Sequence, residues 1–83
     1  MRLLYFASVR ERVGLREEEV IPPPETRTVG DLVAWLRTRG EEYEAAFGSA
    51  GMVRAAVDQV HAKPEATLAG AREVAFFPPM TGG

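Results

Sequence analysis

The sequence contains no cysteine and only one histidine, His61. Without thiols the chain has no disulfide, no zinc–thiolate site and no cysteine nucleophile, and one histidine is too little for a metal centre or a Ser–His pair. A phosphate-binding loop is missing too, because Gly48–Gly51 lacks the lysine and helix that should follow it. We therefore expect no bound metal and no complete active site within this chain.

An excess of positive charge is also missing. Ten Lys and Arg stand against twelve Asp and Glu, which gives a formal net charge of −2. Nucleic-acid binding is not expected without a basic footprint. The apolar run Leu3–Ala7 is too short for a signal peptide or a membrane anchor. These observations predict a cytoplasmic protein that binds neither nucleic acid nor membrane.

The chain length of 83 residues predicts one small domain. A chain of this size buries only about 60–65% of its extended surface on folding. We expect one modest core and no cofactor cavity. The composition, with 46% hydrophobic and 27% charged residues, is that of an ordinary globular protein.

Several short apolar runs predict strands. Arg2–Ala7 is apolar on both faces, which is typical of a strand inside a sheet. Glu17–Ile21 predicts a second strand that stops at Pro22–Pro24, with its acidic triplet on a solvated edge. We expect Ser8–Gly14 to be a charged connection. Further strands are predicted at Met52–Val57, Val60–Ala62 and Glu73–Phe77, with a turn at Asp58-Gln59.

Two segments carry helical signals. Thr28 and Asp31 resemble a capping box, and apolar residues follow at helical spacing as far as Gly40, so this segment predicts the main helix. Glu41–Phe47 predicts a shorter helix closed by a glycine. We expect Lys63–Gly70 to be a loop with at most one helical turn. The order of elements predicts an α+β fold whose sheet is covered on one face.

The last six residues predict a tail. Pro78 and Pro79 cannot continue a ladder, so the domain is expected to span 1–77 and the tail 78–83. Extended, the tail reaches roughly 20 Å, and Gly82 and Gly83 make its tip narrow. It could carry the Gly83 carboxylate into a cleft of another protein. A frayed terminus is the alternative.

Strand alternation also predicts an interface. If Leu3, Tyr5, Val74 and Phe76 face the helix, then Phe6 and Phe77 point the other way. Two aromatic side chains beside the tail on an uncovered face favour a protein interface. A loop packed over them is the alternative.

Three segments resemble those of one family. Glu73–Gly83 resembles the C-terminal signature of the small subunits of molybdopterin synthase, which are ubiquitin-like sulfur carriers. Phe6–Glu11 and Ala55–Gln59 resemble further motifs of that family, in the expected order, so the resemblance covers the whole chain. It implies a ubiquitin-like β-grasp fold: a mixed sheet of about five strands, one main helix on one face and a flexible C-terminal Gly-Gly tail.

The resemblance also implies a chemistry and its partners. An adenylyltransferase of the ubiquitin-activating type would use ATP to adenylate Gly83, and a sulfur donor such as a cysteine desulfurase would allow conversion to a thiocarboxylate. The sulfur would pass to cyclic pyranopterin monophosphate to form the dithiolene of molybdopterin. The active site would lie on the large subunit, in a heterotetramer. No cofactor is expected to be bound to this chain.

Site residues follow from the same resemblance. Phe6, His61 and Phe77 would dock the large subunit, and the tail residues Pro78, Pro79, Met80, Thr81 and Gly82 would enter its channel. His61 departs from the apolar residue commoner at that position, so an exposed strand residue with no special role is the alternative for it. Other readings are a sulfur carrier for thiamine thiazole or tRNA thiolation, a ubiquitin-like modifier conjugated through Gly83, and a binding module with an inert tail.

Overall fold

The computed structural model describes residues 1–48 and 53–79 as one mixed sheet with three helices. The elements in chain order are β1 Arg2–Tyr5, α1 Ala7–Val13, β2 Glu17–Glu19, α2 Val29–Arg37, α3 Glu41–Phe47, β3 Arg54–Val57, β4 Val60–Ala62 and β5 Glu73–Phe77. The strand order is β2-β1-β5-β3-β4. β5 is central, parallel to β1 and antiparallel to β3. The predicted interior position of the first strand is confirmed.

The two predicted helices form as the sequence indicates. The Thr28 hydroxyl accepts the Asp31 N–H at 3.1 Å, and the Asp31 carboxylate accepts the Thr28 N–H at 3.1 Å, so the capping box is confirmed at the start of α2. α2 ends at Arg37, earlier than the predicted stop at Gly40, which instead caps the start of α3. α3 ends before Gly48 as predicted.

The segment Ser8–Gly14, predicted only as a charged connection, forms most of the helix α1. Val9 and Val13, four residues apart, are both buried, so a single helical stripe holds α1 on the core. Gly14 ends it with a φ of 86°, the left-handed conformation that glycine adopts without penalty. β1 correspondingly stops before Ala7, whose φ of 51° turns the chain from strand to helix.

The other boundaries differ less. The second strand ends at Glu19 although Val20 is buried and its N–H still donates to the Met1 carbonyl at 2.8 Å. The 63–70 loop forms turns and an isolated bridge between Thr28 and Thr67 where a helical turn was considered. Met52, predicted to start the third strand, lies outside the described residues.

A single core lies between the sheet and the helices. Leu3, Val74 and Phe76 are 0% exposed and Tyr5 is 1% exposed, so the predicted core face is confirmed. Side chains from all three helices join the same cluster. The Phe76 ring lies 6.2 Å from that of Tyr5 and 4.9 Å from that of Phe47. Burial of each such side chain contributes about 1.5–3 kcal/mol to folding.

Within residues 1–48 and 53–79, no helix has the length and apolar character needed to cross a membrane.

Candidate functional site on the open face of the sheet

The face of the sheet opposite the core carries a continuous row of small or apolar side chains that ends at a histidine. Register partners share a face because side chains alternate along a strand. The row that crosses β1, β5, β3 and β4 consists of Leu4, Ala75, Ala56 and His61. Phe77 is paired with Arg54 in the next row. We call these six residues the open face.

His61 and Phe77 contact each other on this face. Their ring centroids are 5.4 Å apart with an interplanar angle of 75°, an edge-to-face contact. His61 is exposed and Phe77 is half-buried. The structure therefore brings together two residues that are 16 positions apart in the sequence and that were both predicted to dock a partner. Their role in docking stays a prediction.

Phe6, the third predicted docking residue, lies at the N-cap of α1 and not within a strand. Its N–H donates to the Phe76 carbonyl at 3.0 Å, which extends the β1–β5 pairing by one residue. Its backbone is still extended, with φ −124° and ψ 150°, so alternation directs the side chain to the open face beside Phe77. The side chain is 49% exposed.

The tail begins at the end of the central strand. Pro78 and Pro79 follow β5 and are half-buried. Neither proline can donate a backbone hydrogen bond, which explains why the ladder stops at Phe77. Met80, Thr81, Gly82 and Gly83 lie outside the described residues, and their predicted roles stay predictions.

The charged side chains on this side of the sheet differ between its two ends. Arg54 lies beside Phe77 at the end where the tail leaves, and the exposed Lys63 directly follows β4 at the same end. The opposite end carries Glu73 and Glu19, register partners of Arg2. The aromatic side chains of Phe6, Phe77 and His61, which lie next to the tail, therefore have positive charge beside them.

Glu18 has a structural role that the sequence reading missed. Its carboxylate oxygen Oε2 accepts hydrogen bonds from the Tyr5 and Tyr43 hydroxyls, both at 2.7 Å, and Oε1 accepts one from Arg39 at 3.0 Å. The prediction that the acidic triplet is only a solvated edge is wrong for this residue. Glu18 is the register partner of the buried Leu3 and so faces the helices. The sequence did contain one signal of this role, because Glu18 occupies a position on the core face of its strand.

The network shifts the pKa values of its members. Burial alone would raise the pKa of Glu18, but hydrogen bonds from Tyr43, Tyr5 and Arg39 outweigh it, and the pKa lies below its ordinary value. Burial and the bond to Glu18 raise the pKa of Tyr43 to about 12 and that of Tyr5 above its ordinary range. The carboxylate is thus ionised and its partners protonated at neutral pH. The network fastens β2 to α3.

A groove of about 310 Å³ opens on the helix side of the sheet. Its lining residues place it between α2 and the edge of the sheet formed by β3 and β4. Its apolar lining includes Val29, Val33, Phe47, Ala55 and Phe76. Within the described residues no group of three His, Cys, Asp or Glu side chains is placed to hold a metal ion.

Taken together, the central strand that leads into a proline-stiffened tail and the helices packed on one face define a ubiquitin-like β-grasp protein. The chain belongs to the ThiS family, whose sequence profile matches residues 3–83.

Similar proteins agree with this assignment. The molybdopterin synthase sulfur carrier subunit of Escherichia coli K12 is 36% identical over 83 residues, covering 100% of this chain and 99% of that protein. The subunit of the same name from Haemophilus influenzae is 28% identical over 83 residues, with coverage of 100% and 99%. The crystal structure of SAMP1 from Haloferax volcanii superposes with a TM-score of 0.76 at 27% identity, covering 100% of this chain and 98% of that one. The predicted fold class is confirmed.

Proposed function

We propose that this chain is the sulfur carrier subunit of a molybdopterin synthase and acts through the carboxylate of Gly83. The observation that carries the proposal is the departure of the tail from the central strand β5, next to an open apolar face. Full-length similarity to two sulfur carrier subunits supports it.

The chemistry begins with activation, because a carboxylate is a poor electrophile. A Gly83 carboxylate oxygen attacks the α-phosphorus of ATP on an adenylating enzyme, pyrophosphate leaves, and an acyl-adenylate forms. Sulfur drawn from cysteine by a desulfurase arrives as a persulfide, whose terminal sulfur attacks the acyl carbon and displaces AMP to give an acyl disulfide. A thiol then reduces the S–S bond and releases the thiocarboxylate. That group is a softer and better nucleophile than the carboxylate it replaces.

The large subunit supplies the pocket and catalytic side chains in this proposal. The thiocarboxylate sulfur takes the place of an oxygen substituent on a carbon of cyclic pyranopterin monophosphate, which gives a thioester between carrier and substrate. Water hydrolyses this thioester, so the sulfur stays on the substrate and Gly83 returns to a carboxylate. Two charged carriers are therefore needed for the two sulfurs of one dithiolene. This chain contributes positioning, because a rigid domain that docks and delivers its terminal atom can lower the barrier by several kcal/mol. Glycine at the last two positions avoids a Cβ in a narrow channel.

The open face is the proposed docking surface. Phe77 and His61 contact each other there, and the extended backbone of Phe6 directs a third ring to the same side. A patch of this kind beside the tail would fix the domain while the tail enters the channel. Because all of these partners act in the cytoplasm in this scheme, we propose a cytoplasmic location.

Extension of the tail tests the proposal. One residue added after Gly83 should abolish adenylation and sulfur transfer, because the new carboxylate would no longer lie where the activating enzyme holds Gly83. The matched variant Gly82→Ala should impair transfer more than folding. For both variants, charging of the C-terminus is measured by intact mass after incubation with ATP, the activating enzyme and a sulfur donor, and folding is measured by thermal unfolding. Undiminished molybdopterin synthesis by the extended chain would refute the tail mechanism.

Protein conjugation is the second candidate. A second crystal structure from Haloferax volcanii, that of small archaeal modifier protein 1, superposes over 96% of this chain with a TM-score of 0.71 at 28% identity. An activated Gly83 attacked by lysine amines of other proteins would give isopeptide adducts. Adducts in extract of the native cell would favour this candidate, and thiolated thiazole or tRNA would favour a carrier for those pathways.

A further inference from the structure

Lys63 is the only lysine among the ten Lys and Arg residues of this chain. The difference in reactivity between lysine and arginine matters for a protein with an activated C-terminus. A guanidinium stays protonated and does not act as a nucleophile at working pH, whereas a lysine amine can attack an activated carbonyl. Side-chain aminolysis within the chain is therefore restricted to this position.

Lys63 lies at the end of the sheet from which the tail leaves. Ala62 is the register partner of Ala55, and Ala55 is that of Phe76, so Lys63 is level with Phe77. Two interstrand spacings separate them, about 10 Å. Lys63 is exposed, and none of the hydrogen bonds or ion pairs found in residues 1–48 and 53–79 involves its amine.

The tail is long enough to reach it. Six residues follow Phe77, and at about 3.3 Å per residue they span roughly 20 Å, twice the separation of the two strands. A short tether of this kind gives millimolar effective concentrations of the two reacting groups. The attack is therefore an intramolecular one that no binding step has to precede.

The amino group of Met1 is placed differently. It donates to the Val20 carbonyl at 3.0 Å, pairs with Glu19 at 2.9 Å and belongs to a residue whose side chain is 13% exposed. β1 and β5 are parallel, so Met1 is at the Glu73 end of the sheet, away from the tail. Its contacts and its position both disfavour it as an acceptor.

We propose that Lys63 is an acceptor site for this chain's own activated Gly83. The Lys63 amine attacks the Gly83 carbonyl carbon, a C–N bond forms, the bond from that carbon to the AMP oxygen breaks, AMP leaves with the electron pair, and the ammonium proton passes to water. The product is a ring closed by an isopeptide bond, with no terminal carboxylate to charge again. The inference rests on the proposed function, because it needs an activated Gly83.

A chemically prepared thioester isolates the step from any activating enzyme. We would generate the full chain as a Gly83 thioester by intein thiolysis, and compare it with Lys63→Arg and with the double variant Lys63→Arg, Arg72→Lys. Arg72 is exposed and precedes β5, so the exchange keeps the composition and moves the amine about 16 Å back along the strand, near the limit of the tail. Thermal unfolding verifies that all three fold.

We expect the unaltered chain to lose its thiol and give a product one water lighter than the free acid, with a Lys63–Gly83 linked peptide, at a rate independent of protein concentration. Ring closure should be at least about tenfold slower in the double variant and undetectable with Lys63→Arg. Hydrolysis alone, equal closure in the exchanged variant, or concentration-dependent dimers would each overturn the proposal. A chain that closes from the thioester but is never adenylated would keep this inference and reject the proposed function.

Discussion

The two faces of the sheet use the same strands for different purposes. Phe76 and Phe77 are adjacent in β5, yet Phe76 is 0% exposed between Tyr5 and Phe47 while Phe77 is half-buried against His61. The core face is covered by three helices, and the open face is not covered by any helix of the described residues. The strand period of two thus assigns stability to one phenylalanine and leaves the next one available for recognition.

This division of the sheet into two faces explains how so small a domain can present its C-terminus to a partner. Packing on the core face fixes β5 in the centre of the sheet, so the tail starts from a fixed position. The open face lies beside the start of the tail, so in the proposed function a partner docked on this face would also determine where the tail enters it. Substitutions should therefore separate by face, and the pair Phe76 and Phe77 provides the sharpest test.

The largest effect is expected on the core face. Phe76→Ala removes the ring at the centre of the aromatic cluster and should lower the free energy of unfolding by about 3–5 kcal/mol, measured by urea denaturation. Much of a small domain's stability would be lost. A decrease below about 1 kcal/mol would show that the core is not organised around this strand.

The neighbouring substitution should affect binding in place of folding. If Phe77 is an anchor that the proposed interface buries, Phe77→Asp should weaken large-subunit affinity by more than about 2 kcal/mol, because a charge would replace the ring. Its free energy of unfolding should change by less than about 1 kcal/mol, since the residue lies outside the core. Calorimetric titration measures the affinity, and Phe77→Leu is the matched control. Unchanged affinity would move the interface elsewhere.

Glu18 offers a smaller, pH-dependent effect on the core side. Glu18→Gln replaces charged hydrogen bonds by neutral ones and should cost about 1–2 kcal/mol of stability at pH 7. The folded-state pKa of Glu18 lies below its ordinary value of 4.5, so the ionised carboxylate stabilises the fold fully above pH 4.5 and loses this contribution as pH falls through the lowered pKa.

Urea denaturation at pH 7 and at pH 3 should therefore show the difference between the Gln variant and the unaltered protein shrinking at the acid end. A difference that is the same at both pH values would mean that the charge of Glu18 is not what holds the two tyrosines and Arg39.

The smallest effect is expected far from the tail, at the β3–β4 turn. The Asp58 carboxylate accepts the N–H groups of Arg72 and Glu73, both at 3.0 Å, and Asp58 has a φ of 47°. Asp58→Asn keeps an acceptor and tolerates this φ, so stability should change by less than about 0.5 kcal/mol, whereas Asp58→Ala should cost about 1–2 kcal/mol. Thermal unfolding distinguishes them. Equal losses would show that the acceptor is unimportant.

The sequence predicted the features that depend on local patterns. Alternation along Leu3, Tyr5, Val74 and Phe76 identified the core face, and the Thr28 and Asp31 pair located the start of α2. Both signals act over a few residues, and the tertiary structure reinforces them. The β-grasp fold came from the resemblance to a family, because strands that pair, such as β1 and β5, are far apart in the chain and leave no local pattern.

Features that depend on tertiary contacts were missed. α1 has only Val9 and Val13 on its buried side, and its other residues are mostly charged, so the helical stripe is too short to detect. Glu18 is held by Tyr43 and Arg39, 25 and 21 residues away, which no local pattern reveals. The contact of His61 with Phe77 similarly depends on the sheet order.

The carrier role depends on what the terminal carboxylate becomes in the cell. Intact mass measurement of the protein from its native cell, followed by fragmentation, reads this directly. The account predicts a fraction in which one oxygen is replaced by sulfur, with the change confined to the fragment that ends at Gly83. Protein from cells that are making molybdopterin, but with Gly83 uniformly a plain carboxylate that the activating enzyme and ATP leave unaltered, would contradict it.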